Sequence, residues 1–154
     1  MPDPLHRRRV TILMAEDDED DRLMARDALA EGRVNSDLRF VADGEELLQY
    51  LRHEGPYADG ADAPRPALIL LDLNMPKVDG REALAAIKGD PALRAIPVVI
   101  LTTSKAEEDV QRAYDLGVNS FITKPVTFAR LVETMTTFAA YWLDTVDLPA
   151  APQT

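Results

Sequence analysis

The sequence predicts an α/β protein built on a doubly wound, five-stranded parallel sheet, and three observations carry that expectation. Five short apolar runs, rich in Val, Ile and Leu, are nearly continuous rather than alternating, which is how strands covered on both faces read. Between the runs lie segments whose apolar residues recur at helical spacing, and strand–helix alternation of this kind implies a parallel sheet with helices on both faces. The residues that close the runs are polar, so chemistry-bearing side chains converge on one edge of the sheet, where such sheets hold their ligands.

The elements follow in order. The first strand spans 10–15 and ends in Glu16 and Asp17; a helix over 18–31 follows, with Met24, Ala28 and Leu29 on its apolar face. The second strand, 38–42, leads to a helix over 44–53 carrying Leu47, Leu48 and Leu51. Residues 54–66 (EGPYADGADAPRP) form a connection long enough to be mobile or functional, and mobility is the expectation. The third strand, 67–71, ends in Asp72, and the next helix covers 80–88 with Ala83, Leu84 and Ile87. The fourth strand, 97–101, ends at Thr102 and precedes a helix over 105–116 with Val110, Ala113 and Tyr114. The fifth strand, 118–122, runs into Lys124, and a last helix spans 127–143 with Leu131, Met135, Phe138 and Trp142. One domain over 10–143 is expected, with an N-terminal extension at 1–9 and a tail at 144–154.

Composition narrows the function. A hydrophobic fraction of 46% supports a core, and a net charge of −10 argues against binding to nucleic-acid phosphates. Without cysteines there is no disulfide and no thiolate metal site. The start, MPDPLHRRRV, sets basic residues ahead of an apolar stretch, but that stretch is too short for an export signal and runs straight into acid. No apolar segment reaches the length that crosses a bilayer. The expectation is an acidic cytoplasmic domain with neither nucleic acid nor membrane as partner.

The chemistry concentrates at the strand ends. Residues 16–21 read EDDEDD. Residues 18–21 begin a helix, where acid is favourable. Glu16 and Asp17 close a buried strand instead, where carboxylates repel each other and lose hydration. A divalent cation resolves that conflict, and hard oxygen ligands with room for water suit Mg²⁺. Asp72 stands in LILLDLNMPKVDG. Capping a helix would be its ordinary role, but the helix start reads later, at Asp79-Gly80 beyond Pro76. Asp72 is left at the sheet edge beside Glu16 and Asp17, as a carboxylate able to attack phosphorus and form an acyl phosphate. For such a transfer the protein need only position the reactants and neutralise charge. Mg²⁺ on the carboxylates, the cation of Lys124 and the hydroxyl of Thr102 supply those parts.

Taken together, Glu16-Asp17, the block from Asp72 to Pro76 with Asp79-Gly80, Thr102 after PVVIL, and Lys124-Pro125 resemble the response-regulator receiver domains of bacterial two-component systems, in order and spacing. The resemblance covers about 10–143 and implies the flavodoxin-like (βα)5 fold. It implies that Asp72 is phosphorylated by a histidine kinase, that Glu16, Asp17 and Asp72 hold Mg²⁺ with the backbone carbonyl of Asn74, and that Lys124 and Thr102 contact the phosphoryl group. It further implies that Phe121 is a switch aromatic coupled to Thr102, core packing being the alternative, and that Lys124-Pro125 is cis. Thr103 stands where many relatives carry alanine and narrows access, while Asn74 and Ser104 occupy positions that tune dephosphorylation.

The EDDEDD start, the 54–66 insertion, TTSKAEEDV and FAAYWLDTVDLP are also similar to the single-domain regulators partnered with bacterial phytochromes. That similarity implies a bacteriophytochrome kinase as partner and a homodimer. The last helix reads the same way. Leu131, Met135 and Phe138 suffice to cover the sheet, so Tyr141, Trp142 and Leu143, followed by Val146, Leu148 and Pro149, are expected to form a dimer interface. The alternative is a tail folded back on its own domain. No length remains after 143 for a DNA-binding output domain, so the expectation is a phosphoacceptor switch rather than an enzyme, with output by protein contact or onward phosphotransfer. A haloacid-dehalogenase-like Mg²⁺ phosphatase is the competing reading, but it needs a second acid where Asn74 stands. A flavin carrier fits poorly, because the loops after the strands are acidic.

Overall fold

The computed structural model describes residues 10–32, 36–103 and 106–149. Five strands form one parallel sheet: β1 (Val10–Ala15), β2 (Ser36–Val41), β3 (Leu68–Leu71), β4 (Val98–Thr102) and β5 (Ser120–Thr123), in the order β2-β1-β3-β4-β5. The helices are α1 (Glu19–Glu31), α2 (Gly44–Arg52), α3 (Gly80–Gly89), α4 (Glu107–Asp115) and α5 (Phe128–Ala139). The boundaries coincide with the expected ones or differ from them by at most two residues, except at the end of α5. The N-terminal extension, Ser104, Lys105 and the last residues of the tail lie outside the described residues.

Every residue of β3 and β4 is buried, which accounts for their unbroken apolar runs. Side chains alternate between two cores. Leu13, Ile69, Leu71 and Ile100 pack with Leu47 of α2, Leu84 of α3 and Ala113 of α4. Ile12, Met14, Leu70 and Leu101 pack with Ala25 and Leu29 of α1 and Met135 of α5. Helices therefore cover both faces. Met24 and Tyr114, expected on apolar faces, are instead exposed; in α1 the buried stripe is Ala25, Ala28 and Leu29, one position round the helix. No helix among the described residues is long and apolar enough to cross a membrane.

Two segments depart from expectation. The connection over 54–66 is anchored rather than loose: the Tyr50 hydroxyl donates to the Pro64 carbonyl at 2.8 Å, an Arg39 guanidinium nitrogen to the Asp62 carbonyl at 2.8 Å, and Ala63 is fully buried. Its polar backbone finds partners on α2 and β2, which composition does not reveal. The helix expected to reach 143 stops at Ala139 and widens into a π-type turn, Ala140–Thr145, in which the Thr145 hydroxyl donates to the Ala140 carbonyl at 3.0 Å. That turn swings Trp142 and Leu143 against the α1–α5 core and leaves Tyr141 exposed.

The topology sets where a ligand sits. The chain leaves β1 for β2 on one side and returns to β3 on the other, so a crevice opens outside the carboxyl ends of β1 and β3. Glu16 follows β1 and Asp72 follows β3.

Candidate functional site

Asp79, not Asp72, caps α3: its Oδ1 accepts from the backbone N–H groups of Arg81 at 2.9 Å and Glu82 at 3.0 Å. Asp72 thus stands free of helix duty, 7% exposed, at the mouth of the crevice. Its Oδ1 accepts from the Thr102 hydroxyl at 2.8 Å and from the Asn74 N–H at 3.1 Å, and its Oδ2 lies 3.3 Å from the Lys124 ammonium. The loop carrying it is held by close backbone approach. Gly80 donates its N–H to the Leu73 carbonyl at 3.0 Å, and a Cβ on Gly80 would lie 2.3 Å from the Asp72 carbonyl oxygen.

The acidic pair divides its labour, which the sequence reading did not foresee. Glu16 is 1% exposed, whereas Asp17 faces solvent, because the chain turns out of the sheet between them. Glu16 is tied down on every side. Its N–H donates to the Val41 carbonyl at 3.0 Å, its Oε2 accepts from the Asp18 N–H at 3.2 Å, and its Oε1 contacts the Lys124 ammonium. Burial pushes the Glu16 carboxyl up to about 7; Lys124 pulls it down, and the neighbouring charge of Asp72 raises it.

Lys124 leaves the end of β5 with its N–H donating to the Thr102 carbonyl at 2.7 Å. Its ammonium is shared among Glu16, Asp72 and Asp21, the last at 3.0 Å. Burial opposes that charge, but the Glu16 hydrogen bond and the charges of Asp72 and Asp21 outweigh it, and the lysine is held protonated above its ordinary range. The expected cis bond is absent: Lys124-Pro125 is trans, as are all described peptide bonds. The trans isomer is the intrinsically favoured one, and the lysine reaches the carboxylates from it. Asp21 is the residue the sequence reading missed. By its place in the run it is helix-start acid, and nothing local marks it as the member that turns toward a lysine 103 residues away.

Oxygens of Glu16, Asp17 and Asp72 lie within 4.8 Å of one another, two of the residues buried and one exposed. An all-oxygen set open to water on one side fits a hard divalent cation. Asn74 is exposed two residues past Asp72. Thr103 is exposed and, with Asp21, Met24, Lys124 and Pro125, borders a hollow of about 330 Å³ beside the crevice. Phe121, opposite Ile100 on β4, is half-buried against the core under α2, α3 and α4. Tyr141, Trp142 and Leu143 lie at the end of α5, away from this cluster; Tyr141 and Trp142 flank a groove of about 410 Å³ with Ile122, Thr137 and Phe138.

The family model described as "Response regulator receiver domain" matches residues 12–136. The chain is 43% identical over 140 residues to Response regulator Rcp1 of Synechocystis sp., covering 91% of this chain and 93% of that one. It is similar to the crystal structure of the phosphorylated cyanobacterial phytochrome response regulator RcpA, with a TM-score of 0.86 and 45% identity over 93% of this chain and 100% of the other. The Mn²⁺-bound form of Rcp1 matches with a TM-score of 0.84 and 42% identity over 92% of this chain and 99% of the other.

Proposed function

The chain belongs to the response regulator receiver family, and from that membership we propose that Asp72 accepts a phosphoryl group from a phosphohistidine of a histidine kinase. The observation that carries the proposal is a buried carboxylate with no capping duty, held between a hydroxyl, a backbone N–H and an ammonium. An Asp72 oxygen attacks phosphorus, the P–N bond to the histidine breaks, and an acyl phosphate forms. The protein's part is positioning and charge: Lys124 stays cationic throughout, and the Asn74 N–H and Thr102 hydroxyl fix the orientation of the carboxylate. A divalent cation, Mg²⁺ in our reading, would be held by Glu16, Asp17 and Asp72 with the Asn74 carbonyl, and would neutralise charge as the transfer proceeds. The oxygen cluster and the Mn²⁺-bound form of the relative Rcp1 support that assignment.

Release returns the phosphoryl group to water. Asn74 cannot act as acid or base in this step, which sets the chain apart from phosphatases that use an aspartate nucleophile. The phosphorylated state is read through Thr102. Its hydroxyl, now on Asp72, is the donor that a phosphoryl oxygen would attract. Thr102 pairs with Thr123 on β5, two residues from Phe121, so its movement reaches the half-buried ring. The partner kinase we propose is a phytochrome, on the strength of the similarity to RcpA. Exposed Leu23, Met24, Val126 and Phe128 give it an apolar landing surface close to Lys124. We further propose a homodimer through Tyr141, Trp142 and Leu143, supported by the exposed Tyr141 and the groove beside it.

The test is phosphotransfer from phytochrome histidine kinases to the parent and to Asp72→Asn. The amide keeps the shape and loses the nucleophile, so labelling should vanish while the melting temperature is kept. Undiminished labelling of the variant would move the acceptor elsewhere.

A further inference from the structure

The insertion at 54–66 has no part in the chemistry above, yet one of its side chains is joined to the crevice by an unbroken series of hydrogen bonds. The Tyr57 hydroxyl donates to Glu46 Oε2 at 2.7 Å. Glu46 closes the start of α2 reciprocally. Its N–H donates to Asp43 Oδ1 at 2.8 Å, while its Oε1 accepts the N–H of Ala42 at 2.6 Å. Tyr57 therefore occupies the one carboxylate oxygen left over and fixes the direction of the other.

The turn that Glu46 holds touches both walls of the crevice. On one side Val41, adjacent to Ala42, accepts the N–H of Glu16 at 3.0 Å. On the other, Gly44 donates to the Val78 carbonyl at 3.0 Å and has no room for a side chain, since a Cβ there would lie 2.1 Å from that oxygen. Val78 belongs to the loop that carries Asp72. The Ala42–Gly44 turn is thus a spacer between the Glu16 wall and the Asp72 wall, and Glu46 sets its conformation.

We propose that Tyr57 is a positioning residue: through Glu46 it fixes the spacing of Glu16 and Asp72 and thereby tunes the affinity of the crevice for a divalent cation and the rate of phosphoryl acceptance. The assignment rests on the reading of Asp72 as acceptor given above. Tyr57 is suited to a permanent contact. Burial and the Glu46 carboxylate push its hydroxyl up to about 12, so it donates across the physiological range. The insertion has a second anchor that bypasses this series, the Tyr50 hydroxyl on the Pro64 carbonyl. The two rings touch edge to face, with centroids 5.1 Å apart, so removing either hydroxyl alone leaves the packing in place.

That pair supplies the experiment. Mn²⁺ affinity by calorimetry and the rate of phosphorylation by acetyl phosphate are compared for the parent, Tyr57→Phe, Glu46→Gln, the double variant and Tyr50→Phe. Tyr57→Phe should weaken Mn²⁺ binding by roughly three- to tenfold, within the range of couplings that act through intermediate residues, and slow acceptance alongside. The double variant should lose no more than Glu46→Gln alone, because the two residues act in series. Tyr50→Phe should lower the melting temperature with both functional readouts unchanged. Unaltered Mn²⁺ affinity and rate in Tyr57→Phe, or an equal loss in Tyr50→Phe, would overturn the proposal while leaving Asp72 as acceptor intact. A parent that neither binds Mn²⁺ nor takes phosphate would overturn both.

Discussion

Lys124 stands among three carboxylates in this structure, and its contacts there explain why its loss should do more than slow a reaction. Lys124→Ala leaves Glu16 and Asp72 buried without a counter-charge, a situation that costs about 3–5 kcal/mol when a buried pair is broken. The variant should therefore melt lower without metal and recover much of the loss when Mg²⁺ is added, because the added cation restores the missing charge. It should also accept phosphate slowly and fail to pass the change to Phe121. Melting curves with and without Mg²⁺ decide the first point; a variant indifferent to the ion would show that Lys124 is not the balancing cation. Glu16 gives a pH prediction with a definite sign. Its unperturbed value is 4.5 and burial raises it to about 7 in the folded chain. The folded state thus holds a proton the unfolded state has lost, and the stability contributed by this group is full below about 4.5 and lost as pH rises through about 7. Metal-free protein should melt progressively lower across that window, while divalent-cation affinity rises over the same interval because only the ionised carboxylate binds. Glu16→Gln should flatten the slope of the melting temperature. Equal slopes in the two proteins would assign the pH dependence to other groups.

Among the elements, the loop from β3 to α3 is the one on which the site depends. It must place Asp72 at the sheet edge and begin a helix eight residues later, and it does so by bringing Gly80 against its own start. The clash facing a side chain at Gly80 is with backbone atoms, the Asp72 carbonyl and the Leu73 Cα at 2.6 Å, which cannot swing aside. Gly80→Ala should cost about 1–3 kcal/mol, the usual penalty for overpacking, and should reduce phosphorylation by displacing Asp72. Denaturant unfolding and acetyl phosphate labelling measure the two effects. A variant as stable and as active as the parent would mean that the loop has slack which the contact distances deny. The N-caps are the elements' most legible feature: Asp18, Asp43, Asp79 and Thr127 each accept a backbone N–H at a helix start. In the sequence, Asp79-Gly80 could be read as a helix start for this reason, and that reading is what left Asp72 without a capping role.

At the scale of the whole molecule, the end of the chain bears on assembly. The π-type turn makes Trp142 and Leu143 serve their own core, so Trp142→Ala should reduce stability within one chain as well as any association. Tyr141 is different. It is 55% exposed and rests edge to face on Trp142, with ring centroids 5.4 Å apart. An exposed aromatic beside a groove is the kind of anchor that binds a second copy. Tyr141→Ser should accordingly shift the mass measured by light scattering from dimer toward monomer with little change in melting temperature. A parent that is monomeric at tens of micromolar, or a dimer untouched by the substitution, would place the interface elsewhere. The net charge of −10 opposes association only over short range, since physiological salt screens beyond about 8 Å.

The sequence by itself determined the sheet, the number of its strands and the set Glu16, Asp17, Asp72, Thr102 and Lys124. These were legible because burial writes itself as apolar runs, unbroken in the fully buried β3 and β4 and still readable in the half-buried edge strands β2 and β5, and in a parallel sheet every strand's carboxyl end points to the same edge. Tertiary structure alone decided how that set is arranged. It buried Glu16 and exposed Asp17, recruited Asp21 to Lys124, kept Lys124-Pro125 trans, bound the insertion to α2 through Tyr57, and turned Trp142 back onto the core. Local periodicity records which face of an element is covered. It does not record how far each element is rotated or what docks against its end, and the contact between Lys124 and Glu16 joins residues 108 apart in the chain, where only the packed sheet and helices set the distance.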